Sequence, residues 1–346
     1  MIIDPIDIIT VGACLVELTP GEAGLTIAEA PVLQKLATGA AALLACGVSK
    51  LGCRSALLSA VGDDELGEFV IAEMKRMGVD VSLILRVREQ LTTVSFASAD
   101  GHGGKTFRFY RFPGRSDPLE TLDSRGIPDS TLGAARLFDF TESSIRSGGR
   151  LRESVFDLAT RSRKLGLEVC YAPNWRPGLW SSVAEGKRVQ LEAARLADIL
   201  LLNSEEAELI SGRPDPDDAA AWLADRGPHT VVVTAGGDRP AVVRSAGGIG
   251  RVPPFPVAML YDVGAGDTFH AAFLAGRLHE LDASDGADTQ GPDSASRAVR
   301  AARFAAAAAA IKITRPPGFE GLPTRSEVEA LLHSTNLARP TTLPPG

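Results

Sequence analysis

Short apolar runs alternate along the chain with longer amphipathic segments. Helical periodicity is clear in Glu65–Met77, where Leu66, Val70, Met74 and Met77 share one face. Strands that alternate with helices predict βαβ units, and therefore an α/β fold with a central, mostly parallel sheet that helices cover on both faces. The apolar runs that predict buried strands are Ile8–Val11, Ser55–Val61, Thr92–Ser98, Leu137–Phe140, Leu167–Ala172, Ile199–Leu202 and Thr230–Thr234.

Three regions depart from this alternation. Thr92–Tyr110 contains two strand-like runs around Asp100-Gly101-His102-Gly103-Gly104, which predicts a hairpin or flap. Asp282–Ser296 is rich in Asp, Gly and Ser and predicts an exposed loop. The proline-containing residues 334–346 predict a flexible tail.

Composition narrows the class of protein. The 346 residues are 45% hydrophobic and carry a net charge of −7, which argues against disorder and against non-specific binding of nucleic acid. The scattered cysteines predict buried, reduced thiols, and the histidines, which form no metal-binding pattern, are expected at the surface. The acidic N-terminus and the shortness of the longest apolar stretch, Phe304–Ile311, favour a cytoplasmic protein without a membrane partner.

The most informative segment is a glycine-rich turn ahead of a predicted helix. Small residues at 264–266 allow the backbone to approach a ligand closely, and a helix that starts there directs its N–H groups and positive dipole end to the same place. This combination predicts an anion site that suits a phosphate. Asp267 could instead be only an N-cap, and a dinucleotide-binding turn would need glycine at Phe269. The segment is Tyr261-Asp262-Val263-Gly264-Ala265-Gly266-Asp267-Thr268-Phe269, and Phe269, Phe273, Leu274 and Leu278 mark the buried side of the helix.

An ordered set of motifs resembles the ribokinase-like, phosphofructokinase-B type carbohydrate kinases. The resemblance runs from about residue 6 to residue 333 and implies one kinase domain with a small β-sheet lid from about 13–37 and 90–115. The motifs are Thr38-Gly39-Ala40-Ala41 leading to Lys50-Leu51-Gly52, Val61–Gly67, Asn203-Ser204-Glu205-Glu206, Thr234-Ala235-Gly236, Gly264-Ala265-Gly266-Asp267, and Ala305–Arg315 followed by Leu322-Pro323-Thr324.

The resemblance also implies roles for these residues. Asp267 would be the base, and the N–H groups of Gly264, Ala265, Gly266 and Asp267 would stabilise charge on the transferring phosphoryl group. ATP would be the phosphoryl donor, with Asn203, Glu206, Thr234 and Gly236 on the nucleotide side and Glu206 holding Mg²⁺ through water. Taken alone, Asn203 and Glu206 are more typical of a capped helix over Ser204–Ser211, with Glu206 as a solvated acid at its start, and it is the order of the family motifs that favours the nucleotide role. The family further implies a homodimer formed through the lid.

The acceptor is indicated by a second group of residues. Ala172–Trp180 resembles the D-x-N-x-R-x-x-L-W segment of 2-keto-3-deoxygluconate kinases and related fructokinases, which points to Asn174 and Arg176. Arg176 could bind a sugar-acid carboxylate or a nucleotide phosphate, or it could form a surface ion pair. The resemblance also assigns Glu17, Gly39 and Arg111 to the sugar, although Glu17 and Arg111 could be ordinary exposed strand residues.

Four positions depart from the family pattern. Leu43 replaces a sugar-binding Asn, Ala172 replaces the Asp of the acceptor segment, and Arg239 replaces the last Gly of the nucleotide turn. Tyr261 stands where an Asp linked to a monovalent-cation site is usual, which leaves dependence on such a cation open.

Because of these departures, the sequence is consistent with several functions. The leading prediction is a kinase for a sugar or sugar acid such as 2-keto-3-deoxygluconate. The alternatives are a fructose or nucleoside kinase, or a non-catalytic relative that binds nucleotide or sugar. A nicotinamide dehydrogenase is disfavoured, because no early G-x-G-x-x-G follows the first strand.

Overall fold

The computed structural model describes residues 5–22, 24–99, 105–110, 117–176, 180–261, 263–282 and 294–337. Its strands are β1 (Ile8–Val11), β2 (Leu15–Pro20), β3 (Leu33–Thr38), β4 (Ser55–Gly62), β5 (Ile84–Val87), β6 (Val94–Ala99), β7 (Lys105–Tyr110), β8 (Leu137–Thr141), β9 (Glu168–Ala172), β10 (Ile199–Asn203), β11 (Thr230–Thr234), β12 (Ala241–Ser245) and β13 (Gly248–Val252). Its helices are α1 (Ala40–Lys50), α2 (Glu65–Arg76), α3 (Asp129–Leu132), α4 (Gly149–Lys164), α5 (Val183–Leu196), α6 (Ser204–Ser211), α7 (Pro216–Ala224), α8 (Ala265–Asp282), α9 (Ser294–Lys312) and α10 (Arg325–Leu337).

Nine of the described strands form one sheet, in the order β13-β12-β11-β10-β9-β8-β1-β4-β5. The strands from β11 to β5 are parallel, whereas β12 and β13 continue the sheet as antiparallel strands. The predicted α/β class with a mostly parallel sheet is therefore confirmed. The antiparallel pair β12–β13 was absent from the expected strands.

Both faces of this sheet are buried. Along β10, Leu200 and Leu202 face one core while Ile199 and Leu201 face the other, as the two-residue period of a strand requires. The first core is covered by α4 to α7, and the second by α1, α8, α9 and α10. Continuous apolar strands are typical of a parallel sheet that helices cover on both sides.

A second sheet has four described strands, in the order β3-β2-β6-β7. Strands β6 and β7 pair antiparallel, which confirms the predicted hairpin, although its turn at 100–104 lies outside the described residues. The inner face of this lid packs against α1 and α2 through Val16, Ala37, Ala42 and Val70. The lid therefore sits at the start of α1, beside the main sheet.

The last three helices show where the predicted loop at Asp282–Ser296 and the predicted tail at 334–346 begin or end. Helix α8 continues to Asp282 and α9 begins at Ser294, so most of the predicted loop lies at 283–293, outside the described residues. Helix α10 continues to Leu337, four residues into the segment predicted to be a tail. Among the described helices, none combines the length and the apolar character that a membrane crossing needs.

Candidate active site

The predicted nucleotide residues lie where neighbouring parallel strands end. Asn203 and Thr234 are register partners at the carboxyl ends of β10 and β11, and Gly236 follows with φ +65°. Next to them, Thr141 and Ala172 are partners at the ends of β8 and β9. Open α/β sheets bind ligands at this edge, so the sheet brings these segments to the side of the fold where a site is expected.

The glycine-rich turn enters α8 in a conformation that only glycine adopts easily. Gly264 has φ +84°, and its carbonyl accepts the N–H of Thr268 at 2.9 Å. A Cβ at Gly264 would lie 3.1 Å from Cε of Lys312, whereas a Cβ at Gly266 would meet nothing within 4 Å. The first N–H groups of a helix have no partner within it. The turn therefore has an open side-chain position at Gly266, next to the free donors and the positive end of the helix dipole.

Asp267 lies in the first turn of α8, half-buried, and faces the end of β9. Nδ2 of Asn174 donates to its Oδ1 at 3.4 Å, which joins two residues predicted from separate motifs. Asn174 has φ +42°, a left-handed conformation that asparagine tolerates better than most residues. Burial raises the pKa of Asp267 above its ordinary value, and the positive charges of His270 and Arg176 oppose that rise.

Glu206 connects the end of β10 to Trp175, which lies in the segment predicted to bind the acceptor. Its Oε2 accepts the N–H of Asn203 at 3.0 Å and its Oε1 accepts the N–H of Trp175 at 2.7 Å. Asn203 Oδ1 in turn accepts the N–H of Glu206 at 2.8 Å, which completes a capping box at the start of α6. The capped helix considered from the sequence is thus present, and burial raises the pKa of the Glu206 carboxyl.

A second acid holds the acceptor segment from the other side. Glu142 follows β8, is 1% exposed, and accepts the indole N–H of Trp180 at 2.7 Å. The backbone N–H of Arg176 also donates to it, Arg146 pairs with it at 3.2 Å, and burial raises its pKa. Sequence reasoning missed Glu142, although an acid two residues after the predicted buried strand Leu137–Phe140 was a usable signal.

Removing the charge of Glu142 should loosen this segment. In Glu142→Gln one of the two acceptor oxygens is lost, so the indole of Trp180, the N–H of Arg176 and Arg146 cannot all keep an acceptor. Because burial raises the pKa of this carboxyl, its charge itself opposes folding at pH 7, and we expect little net change in the free energy of unfolding. The variant should also raise KM for the acceptor more than KM for the nucleotide. Chemical denaturation with steady-state kinetics checks both, with Glu153→Gln, an exposed site on α4, as the control. Equal changes in the two KM values would contradict the role of Glu142 in holding the acceptor segment in place.

A polar cluster lies beneath α8, on the sheet face that α8 covers. Thr10 Oγ1 donates to Asp139 Oδ2 at 2.8 Å, and Nε2 of His270 lies 2.7 Å from Asp139 Oδ1. Cys170 Sγ lies 3.5 Å from the same Nε2. The expectation that the histidines are surface residues is wrong for His270, which is 5% exposed because it points from α8 into the sheet. An Asp in the middle of an apolar strand was the missed signal.

The remaining predicted acceptor residues are more scattered. Glu17 lies on β2 of the lid, Arg176 is exposed, and Arg111 lies outside the described residues. Gly39 caps α1 with φ +122°, and a Cβ there would lie 2.2 Å from the carbonyl oxygen of Ala13, so glycine is required for structure.

The departures occupy ordinary structural places. Leu43 packs against the apolar core between the lid, α1 and α2, and Ala172 is buried at the end of β9. Tyr261 donates its backbone N–H to Ile313 at 2.9 Å, and Arg239 is exposed, with a guanidinium nitrogen 2.6 Å from the carbonyl of Ala235.

Comparison with known proteins decides the family. The sequence profile of the pfkB family carbohydrate kinases matches residues 6–325, nearly the whole chain. The chain belongs to this family. As a PfkB-family protein it is a sugar kinase, and the predicted ribokinase-like fold is confirmed.

Individual relatives agree with this placement. Fructokinase-1 of Zea mays is 28% identical over 325 residues, covering 94% of this chain and 97% of that protein. The 2-dehydro-3-deoxygluconokinase of Bacillus subtilis (strain 168) is 26% identical over 329 residues, covering 94% and 95%. The crystal structure of fructokinase with bound ATP from Xylella fastidiosa superposes with a TM-score of 0.83 at 25% identity, covering 95% of this chain and 99% of that one.

Proposed function

We propose that this kinase transfers the γ-phosphoryl group of ATP to a hydroxyl of a sugar or sugar acid such as 2-keto-3-deoxygluconate, with Asp267 as the base. The observation that carries the proposal is the arrangement around Asp267. Its carboxylate stands in the first turn of α8 beside the open space at Gly266, and it contacts Asn174 of the acceptor segment. A base, an anion site and an acceptor-binding residue therefore meet at one point.

The chemistry needs positioning more than strong basicity. The acceptor oxygen attacks the γ-phosphorus, its proton passes to a carboxylate oxygen of Asp267, and the bond to the bridging oxygen breaks to release ADP. Such transfers have a loose transition state with charge on the phosphoryl oxygens. The N–H groups of Gly264, Ala265, Gly266 and Asp267 would stabilise that charge, and the raised pKa of Asp267 makes its carboxylate a somewhat better proton acceptor.

The proposed ATP site lies at the carboxyl ends of β10 and β11. Asn203, Thr234 and Gly236 line that edge and would contact ATP, the ligand named for the Xylella fastidiosa fructokinase structure. Both oxygens of Glu206 already accept backbone N–H groups but keep a second lone pair each, which fits Mg²⁺ held through water. Bound Mg²⁺ would neutralise phosphate charge, and it would also favour the ionised form of this buried carboxyl.

Arg176 supports an acidic acceptor. Glu142 fixes its backbone, its side chain is exposed, and its charge acts on Asp267. A guanidinium there could bind the carboxylate of a sugar acid while a hydroxyl of the same molecule faces Asp267. We also propose Glu17, Gly39 and Arg111 as acceptor contacts, because the family resemblance assigns them to the sugar.

Replacing Arg176 should separate the acceptor classes. In Arg176→Met the charged hydrogen bonds to a carboxylate are lost, so KM for a sugar acid should rise about 10- to 100-fold. KM for neutral fructose should change little. ADP release with both acceptors checks this, and Arg188→Met, which removes an exposed guanidinium from α5, controls for net charge. A parallel loss with both acceptors would assign Arg176 to the nucleotide or to the fold.

Two broader expectations remain proposals. The exposed ring of Phe109 on β7 is consistent with pairing of two chains through their lids. A role in the cytoplasm fits phosphorylation by ATP.

A further inference from the structure

Lys312 places a buried ammonium group behind the glycine-rich turn. It is the last residue of α9 and is 1% exposed. Its methylene chain lies against Gly264, where an added Cβ would be 3.1 Å from Cε and 4.0 Å from Nζ. Its Nζ donates to the carbonyl of Pro316 at 2.6 Å. The ammonium is thus fixed against Gly264, two residues before the open side-chain position of Gly266.

This ammonium has no counter-charge in the described part of the chain. No carboxylate there pairs with it, and the charged groups that act on it, Lys50 and Arg315, are both positive. Arg315 is itself paired with Glu327, and Lys50 donates to the carbonyls of Phe319 and Leu322. Burial lowers the pKa of Lys312 to about 8, which leaves it mostly protonated at neutral pH. A buried cation without an anion is costly, so its surroundings favour the arrival of negative charge.

We propose that Lys312 is a fixed internal cation of the phosphate site, which stabilises anionic phosphoryl groups bound at the turn from Gly264 to Asp267. The inference rests on the proposed function, because that function puts the phosphates at this turn. Lys312 is a positioning residue: it touches the turn and not the reacting atoms. The positive potential of the ammonium adds to that of the helix end, and both attract an anion to this turn.

A tethered ammonium also has the charge of a free monovalent cation. The wild-type kinase should therefore need none, and Tyr261 would be compatible with full activity. When the side chain is shortened or neutralised, the space beside the carbonyl of Pro316 becomes a place where a small cation can bind. NH₄⁺ or K⁺ should then restore part of the lost function, whereas the bulky tetramethylammonium ion should not.

The experiment compares Lys312→Gln, Lys312→Met and wild type. Gln keeps a donor for the Pro316 carbonyl but loses the charge, while Met loses both. Lys50→Met is the matched control, because it removes another lysine that binds carbonyls of the same loop. Affinity for Mg-ATP is measured by calorimetry in tetramethylammonium, NH₄⁺ and K⁺ chlorides at equal ionic strength, together with kcat on an accepted sugar.

The inference predicts that both Lys312 variants lose about 10- to 100-fold in ATP affinity or kcat in tetramethylammonium. NH₄⁺ or K⁺ should recover much of that loss in the variants, and neither ion should affect wild type or Lys50→Met. Wild-type values of both ATP affinity and kcat in Lys312→Gln, or a loss that no cation restores, would overturn the inference and leave Lys312 as a tether. A wild-type protein that binds no Mg-ATP would instead overturn the proposed function, and this inference with it.

Discussion

Asp267→Asn is expected to lower kcat about 10²–10⁴-fold while leaving the affinity for Mg-ATP nearly unchanged. The amide can still contact Asn174 and can still begin α8, but it cannot accept the acceptor proton. The donors of the turn are backbone N–H groups, which the substitution leaves in place. Coupled ADP release gives kcat and calorimetry gives the affinity. Asp282→Asn, at the exposed end of the same helix, is the control and should behave as wild type.

The same variant should be more stable than wild type at pH 7. The pKa of Asp267 is raised above its ordinary value of 3.8, so the folded protein holds the proton more tightly than the unfolded chain does. Ionisation of Asp267 therefore opposes folding above the raised pKa, and this penalty disappears as the pH falls below it. Asp267→Asn should show a higher Tm at pH 7, with a difference that narrows on acidification. A kcat close to wild type, or a lower Tm at pH 7, would contradict the role of this carboxylate.

Gly266→Ala should inactivate the enzyme without unfolding it. The added methyl group meets no protein atom within 4 Å, and alanine in a helix is favoured over glycine by about 0.5–1 kcal/mol. The unliganded protein should thus be at least as stable as wild type. The methyl group would nevertheless occupy the space proposed for the phosphoryl group, so kcat should fall about 10²–10³-fold, as when an oxyanion donor is lost.

Gly264→Ala provides the contrast within the same turn. Here φ is +84° and Lys312 lies behind the new Cβ, so stability and activity should fall together. Thermal unfolding and steady-state kinetics on both variants give the comparison. If Gly266→Ala kept full activity, the open space at Gly266 could not be the phosphoryl site.

The sequence predicted the parallel sheet well because its strands are buried on both faces. Runs such as Thr230–Thr234 are continuous and apolar, which made their limits easy to find. Strands β2 and β3 were harder to predict from the sequence. The lid is partly exposed, so polar residues such as Glu17 and Lys35 lie within its strands and interrupt the apolar pattern. Strand β13 contains two glycines and is mostly exposed at the sheet edge, so its pattern carries little information.

The candidate site was predicted in part for a similar reason. Asp267 and Asn174 stand out in local motifs, and the fold then brings them into contact. Glu142, Asp139 and Lys312 act through contacts with distant segments, which no local pattern records. What these three residues share in the sequence is a charged side chain inside or beside an apolar strand or helix. The groups that each charge contacts become known only from the tertiary structure.

The most direct test of the central claim is a screen for ADP release with Mg-ATP over sugars, keto-deoxy sugar acids and nucleosides, run beside Asp267→Asn. We predict release with a sugar or sugar acid, a phosphorylated acceptor among the products, and loss of both in the variant. Release that persists in Asp267→Asn, or silence across the panel from a protein that binds Mg-ATP, would contradict Asp267 as the base of a sugar kinase.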